Sequence, residues 1–367
     1  MILHLQGEHS ASEFFTRSFY ELFPDKNIII KIPYSGNEVI VVKHGQPQYY
    51  WEYKELKKEI DFSEVTIVVV HYMDFNKERF LNKCIPPNVP IVWWMYGHDL
   101  YERLWLKGYK LYAPQTLPFV HPKTTNILYG LRRFRFNLRK RYLDKKVLNR
   151  IVGVIPCAQP DYKLACKLLE RDIDLIDIYP RDVLSITKYS DGEDICVGHS
   201  ASMTSNHLYA LSYLNKIDTG DSNIWLPLSY TIQSEEYRKA VVEQYSSVFG
   251  INAHFIFEYQ DLESYQKSFL KYKIAIYPSW RQEALGNIFI CLQLGVKVFL
   301  SLHNPCFEFF REKGFVIFAL EDIESSEDLQ PLSVEQKRKN RYIYMNLKEE
   351  RDIVAPANIK AYFKHYT

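Results

Sequence analysis

The sequence lacks several features that would place it in a common class of protein. Its net charge is only +2 over 367 residues, so the chain as a whole is not built to bind a polyanion. Its six cysteines are scattered without a Cys-x-x-Cys pair, which indicates free thiols and a reducing compartment. No run of 18 uncharged apolar residues is present, and the first residues do not resemble a signal peptide, so we expect neither a spanning helix nor export.

Familiar cofactor and metal motifs are missing as well. The chain has no Gly-x-x-x-x-Gly-Lys-Ser/Thr sequence, which argues against a kinase-type phosphate loop. A Gly-x-Gly-x-x-Gly sequence is absent after the first predicted strand, which argues against a dinucleotide-dependent epimerase. The histidines do not show the spacing of metal ligands. We therefore predict no metal and no bound cofactor.

The pattern of apolar residues predicts an α/β protein. Short runs rich in Ile and Val alternate with helix-length amphipathic segments, as expected for parallel strands buried on both faces. A hairpin is predicted within 38–51, and the chain is predicted to end in one or two helices over 334–348 and 356–366. The pattern predicts the GT-B fold, in which two Rossmann-like domains face each other across a cleft. The predicted divisions are an acceptor domain at 1–180, a linker at 181–193, a nucleotide-sugar domain at 194–332 and a helical tail at 333–367.

Two segments of the second half combine small residues with the start of a helix. Residues 197–202 (Val-Gly-His-Ser-Ala-Ser) and 280–287 (Trp-Arg-Gln-Glu-Ala-Leu-Gly-Asn) each follow a short predicted strand. Backbone N–H groups at such positions bind phosphates, and an arginine adds a planar pair of donors for a diphosphate. The residues predicted to bind the nucleotide-sugar are Gly198, Ser200, Asn206, Arg281, Gly286 and Asn287.

The first half offers candidates for a general base at strand ends. Asp99 and His98 follow the predicted strand at 91–95, and either side chain can take the proton from an attacking hydroxyl. Asp99 is our first choice, His98 the second and His9 the third. Two plainer interpretations stay open: Asp99 caps the next helix, and the loop that contains His9 is an ordinary strand-to-helix connection. The residues predicted to line the acceptor side of the cleft are Gly7, His71 and Tyr101.

One segment is strongly basic. Between residues 132 and 150 nine basic residues face a single acid, Asp144, and the aromatic residues Phe134, Phe136 and Tyr142 are interleaved. This composition predicts that segment 128–150 lies on an anionic membrane surface, although a solvated helix face stays open and nucleic-acid binding has no other support. The predicted membrane contacts are Arg132, Arg133, Arg135, Arg139, Lys140 and Arg141.

Three blocks of the sequence resemble the family 56 glycosyltransferases, which transfer Fuc4NAc in the synthesis of enterobacterial common antigen. The blocks lie at 93–112, 196–211 and 280–306, and they include Trp94 to Glu102, Val197 to Ser200 and Arg281-Gln282. The resemblance implies a GT-B enzyme with a dTDP-activated 4-acetamido-4,6-dideoxyhexose as donor. It also implies a polyprenyl-diphosphate-linked saccharide as acceptor, at the cytoplasmic face of the inner membrane, and no metal.

The chain departs from the family pattern at two places. His98 replaces a small residue, and Glu283-Ala284 replaces a Gln-Gly pair, so the identity of the sugar stays open. Glu283 also resembles the start of the Glu-x7-Glu motif of family 4 transferases, but Cys291 stands where the second carboxylate belongs. Two alternative functions stay open: a transferase that uses a UDP-sugar on another acceptor, and a non-catalytic GT-B scaffold of a polysaccharide assembly complex.

Overall fold

The chain folds into two compact units. The computed structural model describes residues 1–7, 16–17, 19–32, 39–43, 46–50, 53–120, 144–177, 186 and 188–367. The first unit contains the described residues of Met1–Leu106, Thr124–Pro180 and Arg351–Thr367, and the second contains those of Lys107–Lys123 and Arg181–Glu350. Neither unit is a single stretch of chain. The predicted domains were continuous stretches of sequence. They did not anticipate that residues 107–123 belong to the second unit and residues 351–367 to the first.

The first unit is built on a sheet that is mostly parallel. In the described part of the chain it has eight strands, in the order β4-β3-β2-β1-β5-β6-β7-β8. They are β1 Ile2–Gln6, β2 Asn27–Lys31, β3 Val39–Lys43, β4 Gln46–Tyr50, β5 Ile67–His71, β6 Ile91–Trp94, β7 Ile151–Ile155 and β8 Asp174–Leu175. Strands β3 and β4 pair antiparallel, which confirms the predicted hairpin. β3 also pairs antiparallel with β2, and the pairs β2–β1, β1–β5, β5–β6, β6–β7 and β7–β8 are parallel.

Helices cover this sheet, and one of them comes from the end of the chain. The described helices of the first unit include Tyr53–Glu59, Phe75–Cys84, His98–Leu106 and Gln159–Leu169. The helix Val334–Phe363 begins in the second unit and ends in the first. Of the two predicted alternatives, the structure has the single helix, which continues through Pro356. Beyond this proline, Ile359 and Phe363 are buried in the first core, and that burial offsets the hydrogen bond that proline removes.

The sheet of the second unit is entirely parallel in the described residues. Its strands follow the order β11-β10-β9-β12-β13-β14, which is the order of the dinucleotide-binding Rossmann fold. They are β9 Asp194–Val197, β10 Ile224–Pro227, β11 Ala253–Ile256, β12 Tyr272–Tyr277, β13 Lys297–Leu300 and β14 Phe318–Ala319. The helices of this unit are Leu117–Val120, His207–Leu214, Glu235–Phe249, Leu262–Ser268, Leu285–Leu294, Cys306–Glu312 and the first part of Val334–Phe363.

A chain of buried hydrogen bonds runs through the first core. The Asn27 amide donates to two backbone carbonyls, so its Oδ1 atom faces His4 Nε2 at 3.2 Å. His4 Nδ1 lies 3.3 Å from His71 Nε2, and His71 Nδ1 lies 3.4 Å from the Tyr96 hydroxyl. One set of tautomers satisfies every link: both histidines donate from Nε2, and the Tyr96 hydroxyl donates to His71. Both imidazoles are therefore neutral in the folded protein.

We expect the unfolding free energy to fall in mild acid because of this pair. Burial lowers the pKa of His4 to about 4, and burial together with the charges of His4 and Lys77 lowers the pKa of His71 well below its usual value. An unfolded histidine titrates near pH 6.5, so only the unfolded chain binds these protons between about pH 6.5 and 4. Urea denaturation should show a loss of about 2–3 kcal/mol per group by pH 4.5. His4→Gln should flatten this slope, whereas His303→Gln, at an exposed site, should leave it unchanged. An equal slope in the His4→Gln protein would contradict the assignment.

Candidate functional site

Two loops of the second unit meet where the strand order of its sheet reverses. β9 pairs with β10 on one side and with β12 on the other. In sheets of this order, ligands bind beyond the carboxyl ends of these two central strands. The loops that leave β9 and β12 are residues 198–206 and 278–284. They contain most of the two segments that the sequence singles out, so the structure places both segments at one edge of the sheet.

The loop after β9 begins with a glycine that cannot be replaced without strain. Gly198 has φ +75°, and a Cβ atom there would lie 2.5 Å from His207 Nε2. Ser202 then accepts a hydrogen bond from the backbone N–H of Thr204 at 3.3 Å and starts a 3₁₀ turn. Asn206, with φ +47°, joins this turn to the following helix. The backbone of the loop is thus fixed by local geometry.

The loop after β12 is held by hydrogen bonds to its backbone. The carbonyl oxygen of Arg281 accepts from Ser279 Oγ and from Asn304 Nδ2, both at 2.9 Å. Its guanidinium forms an ion pair with Glu283 and donates to the carbonyl of Gln282 at 3.3 Å. No atom lies within 4 Å of the position that a Cβ of Gly286 would occupy, so the first turn of the next helix borders open space.

One buried carboxylate connects the two loops. Glu283 is 6% exposed and accepts a hydrogen bond from the hydroxyl of Thr204, in the β9 loop, at 2.5 Å. The Ser205 hydroxyl lies 3.5 Å from its second oxygen. Burial acts to raise the pKa of Glu283, but the charges of Arg281 and His199 and the hydroxyl donors outweigh it, so the pKa lies below its usual value. Glu283 is therefore ionised at neutral pH.

The six residues predicted to bind a nucleotide-sugar have different surroundings. Gly198, Ser200 and Arg281 lie in the two loops, and Gly286 lies in the first turn of the helix Leu285–Leu294.

The two asparagines of this set are engaged within the protein. Asn206 is fully buried; its Oδ1 accepts from the N–H of Ala113 at 3.0 Å, and its Nδ2 donates to the carbonyl of Leu111 at 3.1 Å. Asn287 Nδ2 donates to the Tyr265 hydroxyl at 2.7 Å. Both side chains position neighbouring segments, and the diphosphate-binding role of all six residues stays a prediction.

Asp99, the first-choice general base, is buried in the first unit. It is 1% exposed, and it accepts hydrogen bonds from the backbone N–H groups of Met73 at 2.9 Å and Tyr96 at 3.0 Å and from the indole of Trp93 at 2.7 Å. Burial raises the pKa of its carboxyl above the usual value, while these donors act against the rise. The side chain joins the loops after β5 and β6. This geometry suits a residue that holds two loops together better than a base that must reach a substrate proton, and these three donors are not the N–H groups of the next helix, which the capping interpretation required.

The other candidates of the first unit differ in their access to solvent. His98 is exposed at the start of the helix His98–Leu106, with its Nδ1 3.0 Å from the Tyr72 hydroxyl. His71 is fully buried at the end of β5, and both ring nitrogens are engaged in the hydrogen-bond chain described above. Tyr101 is buried too, and its hydroxyl donates to Asp161 at 2.7 Å. Gly7 is buried directly after β1, and His9 lies outside the described residues.

Most of the basic segment lies outside the described residues. This applies to all six predicted membrane contacts, Arg132, Arg133, Arg135, Arg139, Lys140 and Arg141. Two of its last residues serve the fold instead. Asp144 accepts a hydrogen bond from the buried Arg103 at 2.7 Å, and Arg150 donates to the backbone carbonyls of Pro86 and Val89.

In the portion that the structure describes, no helix is long and apolar enough to cross a membrane. The described residues also contain no cluster of His, Cys, Asp or Glu suited to a metal ion.

Sequence reasoning missed the residues that organise the loops from inside. Thr204, Asn304 and His207 were not predicted as site residues, and Glu283 was considered only as a departure from a family pattern. The signal available for Thr204 and Glu283 was their position in strand-end loops. The contact between them depends on the pairing of β9 with β12, which could not be deduced from the sequence.

Comparisons with known proteins give one family and a set of similar folds. Residues 180–340 match the sequence model of the 4-alpha-L-fucosyltransferases, glycosyl transferase group 56. The structure resembles an α,α-trehalose-phosphate synthase (UDP-forming) from Burkholderia vietnamiensis, with a TM-score of 0.62, 7% identity and coverage of 100% of this chain and 99% of that chain. A glycosyltransferase from Rickettsia africae ESF-5 gives a TM-score of 0.60 and 13% identity, over 99% and 97% of the two chains. WaaG, a glycosyltransferase involved in lipopolysaccharide biosynthesis, gives 0.51 and 9%, over 98% of each. Curated proteins give no significant match.

The two Rossmann-like sheets and these similarities define the class: the protein is a glycosyltransferase with the GT-B fold. The predicted fold class and the prediction of an enzyme are confirmed. Within this class, the match over residues 180–340 confirms the resemblance to family 56. The matched range includes both loops at the strand-order reversal.

Replacement of Gly198 by alanine tests the packing of the first loop. The change adds a methyl group in a left-handed conformation and drives it into His207, so the unfolding free energy should fall by about 2–4 kcal/mol. Gly220→Ala is the matched control, because Gly220 has φ +60° and no atom near its Cβ position. It should cost about 1 kcal/mol, from backbone strain alone. Equal losses in urea denaturation would contradict the contact with His207.

Proposed function

We propose that this protein transfers a Fuc4NAc-like 4-acetamido-4,6-dideoxyhexose from a dTDP-sugar to a polyprenyl-diphosphate-linked saccharide, in the synthesis of a surface polysaccharide. The observation that carries the proposal is the meeting of the two loops, 198–206 and 278–284, at the strand-order reversal of the second unit. Open space beside the helix start at Gly286 suits a diphosphate, which the amide groups and the helix dipole attract. The choice of sugar is the one that the resemblance to family 56 implies, and the match of the same segment to the model of that family supports it.

In this mechanism the acceptor hydroxyl attacks the anomeric carbon of the donor. The bond between that carbon and the diphosphate oxygen breaks, and the diphosphate leaves with the electron pair. Arg281 and the start of the helix Leu285–Leu294 stabilise the charge that develops on the leaving group. The proton of the acceptor hydroxyl passes to a base of the first unit.

His98 is the base that we now favour among the three candidates. It is exposed at the carboxyl end of β6, its Nδ1 lies 3.0 Å from the Tyr72 hydroxyl, and an imidazole is a common general base. Asp99 has the weaker claim because three N–H donors occupy its carboxylate. His9 stays a third candidate on sequence grounds alone.

A second candidate function is transfer from a UDP-sugar to a different acceptor. It is favoured by the similarity to trehalose-phosphate synthases, which are described as UDP-forming. The identity of 7–9% to these enzymes supports the fold and leaves the nucleotide open.

The proposed acceptor places the enzyme at the cytoplasmic face of the inner membrane as a peripheral protein. The support is the charge of segment 128–150, whose basic residues each gain on the order of 1 kcal/mol near an anionic surface. The aromatic residues between them are typical of segments that lie at the lipid interface.

Paired substitutions separate the two leading bases. His98→Gln should lower kcat by about 100-fold or more with little change in unfolding free energy, because the side chain is exposed. Asp99→Asn should instead lower the unfolding free energy by about 2–4 kcal/mol, since it sets an amide donor against buried N–H groups. Asp172→Asn, at an exposed carboxylate, is the control for stability. Loss of turnover in a fully stable Asp99→Asn protein would return the catalytic role to Asp99.

Nucleotide affinity tests the donor. Calorimetric titration with dTDP, UDP and GDP should give the lowest Kd for dTDP, at least about tenfold below that for UDP. A preference for UDP would support the second candidate function. No binding of any of the three would contradict both.

Vesicle binding tests the membrane assignment. Replacement of Arg139, Lys140 and Arg141 by glutamate should abolish sedimentation with vesicles rich in phosphatidylglycerol, since it removes three attractive charges and adds three repulsive ones. The same reversal at Lys313, Arg338 and Lys339, three exposed residues of the second unit, is the matched control and should leave sedimentation unchanged. Equal sedimentation of the first variant and the parent protein would contradict the assignment.

A further inference from the structure

The arginine that should hold the diphosphate is already paired with a carboxylate. The side chain of Arg281 is only 11% exposed, and Glu283 and the carbonyl of Gln282 take hydrogen bonds from its two terminal nitrogens. The Arg281–Glu283 pair has no net charge. A site selected only to grip a diphosphate would gain nothing from this carboxylate, because Glu283 repels the ligand and is costly to bury.

The position of Glu283 suggests what the carboxylate contributes. One oxygen accepts from Thr204 in the β9 loop and also pairs with Arg281 in the β12 loop. The second oxygen lies near Ser205. A single side chain therefore fixes the spacing of the two loops and the direction of the guanidinium.

Glu283 also changes the net charge of the proposed diphosphate site. When the sugar leaves a nucleoside diphosphate, the terminal phosphate gains negative charge, so a fully cationic site would hold the product more tightly than the donor. A carboxylate beside the guanidinium reduces this difference.

We propose that Glu283 is a positioning residue that joins loops 198–206 and 278–284 and neutralises the charge of Arg281. In this way it limits the affinity for the product nucleoside diphosphate, so that the product can leave. The inference rests on the proposed function, because it takes a nucleoside diphosphate as the product. The proposal has two parts, and the first, the bridge between the loops, does not depend on any ligand.

Glu283→Gln tests the charge, because it keeps the shape of the side chain and an oxygen for Thr204. The variant should bind dTDP about tenfold more tightly than the parent protein, because Arg281 is no longer compensated. Its KM for the donor should change less than its Kd for dTDP, and its kcat should fall as product release slows.

Two controls separate charge from contact. Glu321→Gln removes another carboxylate of the second unit, one that accepts hydrogen bonds from Ser301 and from Tyr209, and it should leave the Kd for dTDP within about twofold. Thr204→Val removes the hydroxyl contact but no charge, so it should not make dTDP binding tighter. Unchanged or weaker dTDP binding by Glu283→Gln overturns the proposal.

A double-mutant cycle tests the bridge without any ligand. The losses of unfolding free energy from Thr204→Val and Glu283→Ala should not add, since each change removes the same contact, whereas those from Thr204→Val and Glu321→Ala should add. Additive losses in the first pair overturn the bridge. If neither dTDP nor UDP binds the parent protein, the proposed function and the role in product release both fail, and the cycle still decides the bridge.

Discussion

The pairing of β9 with β12 is the constraint on which the candidate site depends. The chain leaves β9, builds β10 and β11 on one side, and returns to place β12 on the other. This reversal brings Gly198 and Arg281, which are about 80 residues apart, to the same edge of one sheet. Glu283 then connects the two loops, because it accepts a hydrogen bond from Thr204 in one loop and forms an ion pair with Arg281 in the other. Without this strand order, the two small-residue segments would be unrelated loops.

Buried charge in the first unit has a different use. Arg103 is 2% exposed; it pairs with Glu78, donates to Asp144 at 2.7 Å and donates to the carbonyl of Asp99 at 2.6 Å. Burial raises the pKa of Glu78 to about 8 despite the nearby guanidinium. Together with the N–H donors that surround the Asp99 carboxylate, this network fixes the loop after β6 and the start of the helix that carries His98. These buried polar groups fix the scaffold, and His98 is exposed at the start of the helix.

Much of the fold could be predicted because buried parallel strands leave a clear trace in sequence. The strand predicted at 91–95, for example, is Ile91–Trp94 in the structure, since burial on both faces requires a continuous apolar run. At Pro356 the sequence could not decide between one helix and two, because the burial of Ile359 and Phe363 against distant segments outweighs the local preference of proline. For the site, the sequence identified the right loops and could not give the direction of their polar side chains. Asn206 points to Leu111 and Ala113, and such partners follow from tertiary packing rather than from local spacing.

The central claim is that the loops after β9 and β12 hold the diphosphate of the donor. Hydrogen–deuterium exchange, with and without saturating dTDP, tests it most directly, because it reports on the amide groups themselves. The account predicts slower exchange in two separate stretches, 199–202 and 285–287, and little change at the carboxyl ends of β10 and β11. Binding of dTDP with unchanged exchange in both stretches would contradict it.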